Sequence, residues 1–204
     1  MFDRFVPFHP LDFFQLKMKL APFNGKFLKV HQLPSLHEEK IAKLSAGWSA
    51  QGLHIQCEAK VPLSQAQFPE FTSGDVLELL IDCRDNKQGF QLSRYCHHFV
   101  CFGAPVEYEG KPVHAVEVTR FRGEESHPLC APEKIEVEVV SAKKLQIFLP
   151  QEILVGFDPT QFPRIGFSYI LRTHTELEQT IGASLEDFAI EQRPSLWPSF
   201  DLIP

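Results

Sequence analysis

The stretch GDVLELLIDCRDNKQG, from Gly74 to Gly89, constrains the fold of this chain more than any other. Leu77, Leu79, Ile81 and Cys83 alternate with Val76, Glu78, Leu80 and Asp82, and a period of two gives separate faces only in an extended strand. Asp85-Asn86-Lys87-Gln88-Gly89 closes the run with residues that favour a turn. The same period returns in GLHIQCEAKV, where Leu53, Ile55, Cys57 and Ala59 oppose His54, Gln56, Glu58 and Lys60. It returns again in VHAVEVTRF, in RIGFSYILRT, and in IEVEVVSAKKLQIFLP, whose two halves meet across a hairpin-sized Ser141 to Lys144 connection.

The first thirty residues predict a strand, a turn over Ala21-Pro22-Phe23-Asn24-Gly25 and a second strand, with Leu16, Met18 and Leu20 alternating with Lys17 and Lys19. GFQLSRYCHHFVCFG reads as a further strand or hairpin, Gly103 to Pro112 as a linker, and 64–74 and 123–134 as loops around their prolines and glycines. Helical signals are few. Ser35 followed by Glu38 predicts a short helical turn within 34–46, and Gln151 to Leu154 predicts one more. Many strands without αβ alternation predict an all-β, antiparallel, jelly-roll-like sandwich with one or two short helical turns. Neither an internal repeat nor a linker divides the chain, so the expectation is one domain over 1–204. Residues 190–204 are expected as an extended tail anchored on it by Trp197, Phe200 and Leu202.

Composition narrows the chemistry. With 44% hydrophobic and 23% charged residues the chain belongs with ordered globular proteins, and nineteen Phe spread along it suit core packing. A net charge of -6 without a long basic cluster gives no footprint for a nucleic-acid backbone. No apolar run reaches the length of a membrane span, and Asp3, Pro7 and Pro10 interrupt what would be a secretory h-region. Five cysteines, an odd number without CxxC spacing, argue against a disulfide framework or zinc site and for a reducing, by default cytoplasmic, compartment. No cofactor is implied.

The ordered motifs Gly47-Trp48-Ser49-Ala50-Gln51-Gly52-Leu53-His54-Ile55, Ser73 to Asp82, Gly89-Phe90-Gln91-Leu92 and Arg164-Ile165-Gly166-Phe167-Ser168-Tyr169 resemble the family 9 carbohydrate-binding modules and the wider DOMON-like sandwich group. The likeness runs from about residue 10 to 175. It implies a jelly-roll-like sandwich with sugar recognition as the commonest role, and haem or other ligands in some relatives. By motif position it carries Trp48 and Arg94 over as ligand-binding residues and matches Glu78 and Asp82 to the family's acidic strand. The carboxyl end departs from the pattern, because Trp197 lies in a proline-rich segment where the family has a second clamp aromatic.

The residues themselves weigh several chemistries. Glu78 and Asp82 share a face about 13 Å apart along a strand, wider than the roughly 5 to 9.5 Å of a glycosidase pair. They read as carboxylates on a solvated face or anchoring loops, with ligand hydrogen bonding as their functional reading and catalysis disfavoured. The run Asp82 to Lys87 lacks the spacing of a calcium loop. His97 and His98, being neighbours, face opposite sides of a strand and fall short of the three or four ligands zinc requires. Trp48 can lie against a sugar ring beside Arg94 or close one end of the core. The expectation is therefore a non-catalytic binding module without metal, taking a saccharide or another small polar ligand. A protein-interaction or structural domain, using edge strands or the tail, is the alternative. A glycan-active enzyme is the third, and it would need two carboxylates converging across the sheet.

Overall fold

The computed structural model describes residues 17–25, 28–29, 40–88, 91–118, 127–181 and 189–203. Its strands are β1 (Lys17–Leu20), β2 (Leu28–Lys29), β3 (Ala42–Ser49), β4 (Gly52–Ala59), β5 (Val76–Asp82), β6 (Cys96–Tyr108), β7 (Lys111–Glu117), β8 (Glu136–Ser141), β9 (Lys144–Pro150), β10 (Arg164–Arg172), β11 (Glu178–Thr180) and β12 (Ser199–Leu202). They form two sheets. The larger runs β1-β12-β10-β5-β6-β7 with β11 added to β10, and the smaller runs β2-β3-β4-β9-β8. All pairings of these strands are antiparallel except β1 with β12. The helical elements among the described residues are single 3₁₀ turns, one of them at Gln151–Ile153 where a turn was expected. The all-β sandwich read from the alternating runs is the fold observed.

The alternation sorts side chains as predicted. Leu77, Leu79, Ile81 and Cys83 of the β5 region join Phe99, Cys101, Ile165, Phe167, Tyr169 and Leu171 to make the larger sheet's inner wall. Leu44, Ala46, Leu53, Ile55, Cys57, Leu145, Ile147 and Leu149 face them from the smaller sheet. Each large apolar side chain sealed there contributes roughly 1.5 to 3 kcal/mol.

Over β5 and its neighbours the outer face of the larger sheet is not solvated, and this corrects one expectation. Phe71 packs with Val76, Val100, Phe102, Val106 and Val116, while Ile190 and Trp197 pack with Leu80, Cys96 and Ile170. Every residue of β5 is therefore buried on both faces. Glu78 and Asp82, read as possible solvated-face carboxylates, are 0% exposed.

Four local readings change as well. Residues 42–46 of the expected helical turn belong to strand β3, because Ala42, Leu44 and Ala46 alternate into the core; residues 34–39 lie outside the described part. The supposed linker 103–112 is the end of β6, a two-residue turn and the start of β7. That turn places Glu109 at φ 49° and Gly110 at φ 78°, the double left-handed conformation that matches the twist of a tight hairpin. β1 and β2 exist but belong to different sheets, so they make no hairpin with each other. The tail does more than pack on the sandwich, since β12 lies between β1 and β10.

Candidate functional site

Where β5 ends, the chain must turn and re-enter as β6, and Asp82 organises that turn. Its Oδ1 accepts the Arg84 N–H at 2.9 Å and its Oδ2 the Asn86 N–H at 2.7 Å. Burial raises the Asp82 carboxyl above its usual range, and those two N–H donors offset part of the rise. Asp82 thus has the loop-anchoring role among the readings open to it. Asn86 Oδ1 then accepts the Gln88 N–H at 3.1 Å, and Lys87 bridges the Asp85 carboxylate at 2.6 Å and the Trp197 carbonyl. Ser199 Oγ donates to Asp85 Oδ2 at 2.6 Å, so the turn is fastened to β12.

Outside this frame lies an open cleft of about 620 Å³, lined by Arg84, Asn86, Gln88, Ser93, Tyr95 and their neighbours. The Arg84 guanidinium lies 3.3 Å from the ring centre of Phe162 and 4.8 Å from that of Tyr95. Such stacking holds a guanidinium flat without neutralising it. Its Nη1 is covered and finds no hydrogen-bond acceptor among the described residues. A buried donor left in that state costs about 1 to 3 kcal/mol. Aromatic faces, amides and an unmet guanidinium donor are the groups that recognise a hydroxyl-rich ring.

The residues singled out from sequence are held in three separate surroundings. Arg94 is exposed on the cleft's own loop, 6.0 Å from the Tyr95 ring centre, and its carbonyl accepts from His127. Trp48 is half-buried on the inner face at one end of β3 and packs against the core. Its Nε1–H is shared between the Leu20 and Ile203 carbonyls at 2.9 and 3.0 Å, so its polar edge is already satisfied. Glu78 lies beneath the outer covering, where His98 Nε2 stands 2.8 Å away and Arg172 forms an ion pair with it. No hydrogen bond or ring contact joins Trp48 to Arg94 among the described residues. Arg84, Tyr95 and Phe162 were not singled out. Arg84 could have been noticed as a cation inside a turn of acids and amides, but nothing local signals that Phe162, more than seventy residues later, covers it.

Among the described residues, one set of three metal-ligating groups has its donor atoms within 4.8 Å of one another: His97, Glu117 and His127. All three are buried. Two come from β6 and β7, the third from the segment after β7.

This architecture has solved counterparts. A family 9 carbohydrate-binding module from Caldicellulosiruptor kristjanssonii, solved in complex with cellotriose, matches over 92% of this chain and 93% of that chain, with TM-score 0.58 and 11% identity. A family 9 module from the same organism, solved with glucose, matches over 92% of this chain and 96% of that chain, again with TM-score 0.58 and 11% identity. A candidate carbohydrate-binding protein from Bacteroides uniformis matches over 93% and 99%, with TM-score 0.54 and 9% identity. No family model and no curated protein matches the sequence. What is shared at such identities is the fold, and it is the family 9 type of sandwich that the ordered motifs resemble.

Proposed function

We propose that this chain is a saccharide-binding module that holds its ligand without cleaving it, and that the sugar enters the cleft beside Arg84, Asn86, Gln88 and Tyr95. The observation that carries this reading is the Arg84 guanidinium, held against the Tyr95 and Phe162 rings at the wall of an open, amide-lined cleft. A sugar offers what that wall lacks: ring oxygens and hydroxyls for the guanidinium and amides, and a C–H face for an aromatic ring. The sandwich is of the type seen in modules solved with glucose and cellotriose, which favours a glucose-based ligand as the first to try. Arg94, exposed on the same loop as Tyr95, would extend the rim. Holding without cleavage is supported by Glu78 and Asp82, the acids ranked first from sequence, both sealed inside and engaged with protein groups.

Calorimetry with glucose, cellobiose and cellotriose tests this. The expected result is measurable binding by the wild type, weakened at least tenfold by Tyr95→Ala and by Asn86→Ala, and severalfold by Arg94→Ala. Trp48→Phe keeps the ring while removing the Nε1–H, and is expected to leave affinity unchanged. A folded wild type that gives no heat with any of these sugars at millimolar concentration would overturn the saccharide reading. Binding that ignores Tyr95 and Asn86 but is abolished by Trp48→Ala in a folded variant would move the site to the β3 end.

A further inference from the structure

We propose that His97, His127 and Glu117, with Cys130 as a fourth donor, form a binding site for a zinc-class divalent cation. His97 points inward from β6, and Glu117 ends β7 on the same face, since it is the cross-strand partner of Phe99. Their side chains are 0% and 1% exposed, and that of His127 is 1% exposed. Glu117 Oε1 lies 2.7 Å from His97 Nδ1 and 2.9 Å from His127 Nε2. Its Oε2 accepts the Cys130 N–H at 2.7 Å, which sets Cys130 beside the carboxylate; the thiol itself lies outside the three-residue group and would turn in to complete the set.

The far nitrogens decide what this arrangement needs. His127 Nδ1 lies 2.8 Å from the Arg94 carbonyl, and His97 Nε2 lies 3.5 Å from the Val155 carbonyl. A carbonyl and a carboxylate both only accept, so His127, held between the Arg94 carbonyl and Glu117, has an acceptor at each ring nitrogen, and a neutral ring can give a hydrogen to only one of them. A ring nitrogen without its hydrogen would face a carboxylate in a space sealed from water, where like partial charges repel strongly. Something positive must stand among them. A near nitrogen aimed at a common centre, with the far N–H on a backbone carbonyl, is how metal-ligating histidines are oriented.

The donor set selects the ion. Two imidazole nitrogens, one carboxylate and a thiol match the ligands of tetrahedral zinc and not the all-oxygen shells of calcium or magnesium. Tetrahedral bonds of about 2.0 to 2.3 Å put neighbouring donors roughly 3.3 to 3.8 Å apart, so the 2.7 and 2.9 Å contacts of Glu117 Oε1 with the two rings must open by roughly half an ångström to admit the ion. The consequence is a staple. One ion would join β6, β7 and the 127–130 segment directly, and through the two carbonyls would steady Arg94 and Val155. The proposal does not depend on what the cleft binds.

The test uses the full chain, stripped with a chelator and titrated with Zn²⁺ and, separately, Co²⁺. The expected result is one equivalent bound, a raised melting temperature, and visible Co²⁺ bands of tetrahedral intensity with a near-ultraviolet sulfur-to-cobalt band. C130S should remove only the sulfur band, H127Q and E117Q should weaken binding at least a hundredfold, and H54Q/H174Q should leave it intact. Imidazole ¹⁵N spectra of the wild type need no variant. Zn²⁺ should shift His97 Nδ1 and His127 Nε2 and leave the far nitrogens protonated. Absence of any Co²⁺ spectrum or melting shift would overturn the proposal and assign the positive charge to a proton. Binding that survives H127Q and E117Q would overturn it too, as adventitious.

Discussion

His97 and His98 are neighbours that solve one problem in two ways. Each faces a fully buried glutamate: His97 meets Glu117 between the sheets, and His98 meets Glu78 beneath the outer covering. A carboxylate in such a place needs a compensating charge. On the outer face Arg172 supplies it permanently, itself tethered to Glu178 at 2.7 Å. Between the sheets, the groups facing Glu117 among the described residues are two histidines, a backbone N–H and a thiol. The first arrangement carries its own fixed cation; the second is served by a proton on a histidine or, as proposed above, by a bound ion. The two should therefore respond to different perturbations, although only a strand's thickness separates them.

The largest expected effect is on the permanent side. Arg172→Ala leaves Glu78 buried without its cation and should lower unfolding free energy by about 3 to 5 kcal/mol. Urea titrations should give the same deficit with and without chelator; a chelator-dependent deficit would erase the distinction between the faces. Removing the charge from both partners should cost less. Glu78→Gln with Arg172→Met keeps an acceptor for His98 and should recover all but about 1.5 kcal/mol. If the double variant is no more stable than Arg172→Ala, the cost lies in lost packing and not in the stranded charge.

Asp75 offers an intermediate case, buried yet held by hydrogen bonds in place of a fixed cation. Burial pushes its carboxyl up, but the Gln65 and His174 N–H groups and the His174 ring outweigh this and hold it below the usual carboxylate range. A depressed acid stabilises the fold fully above its unfolded value, near pH 4, and loses that contribution as pH falls through the lower folded value. Asp75→Asn should therefore cost about 1 to 2 kcal/mol at neutral pH, with the gap from wild type narrowing only below about pH 4. A gap that stays constant down to acid unfolding would show that Asp75 acts by shape alone. The smallest effect belongs to the exposed pair Lys134–Glu152, whose side chains are 51% and 64% exposed. Lys134→Ala should change stability by less than about 0.5 kcal/mol in denaturant titrations, which sets the baseline for charges that water already compensates.

Strand parity made much of this legible in advance. Alternation in 76–83 separated Leu79 from Glu78, and adjacency alone placed His97 and His98 on opposite faces. It could not say what those faces meet. Glu117 reaches His97 only because β6 and β7 pair through a hairpin whose register shifts between Cys101 and Val106. At Gly103, near that shift, a Cβ would stand 2.0 Å from the Leu63 carbonyl, so only glycine admits the close approach of that segment. Such a contact leaves no local period to read. Over 41–48 the periods compete, because Ile41 and Leu44 suit a helix while Ala42, Leu44, Ala46 and Trp48 suit a strand; pairing with β4 decides. Anchoring of the tail through Trp197 was legible, but the outer covering it makes with Phe71 and Ile190 was not, because these residues sit in segments without regular alternation. The cleft escaped for a similar reason: its aromatic cover arrives from a distant loop.

The position of β12 has a consequence for how the chain is made. Lys17 to Leu20 find their partners at Ser199 to Leu202, and that late strand also separates β1 from β10. During synthesis the larger sheet can assemble through β10, yet β1 must wait with its edge unpaired until residues 199–202 have left the ribosome. Contacts this distant in sequence slow folding and prolong the exposure of an unpaired edge. Newly made chains truncated before residue 199 should therefore engage chaperones, and release should follow when the last strand slides between its two neighbours.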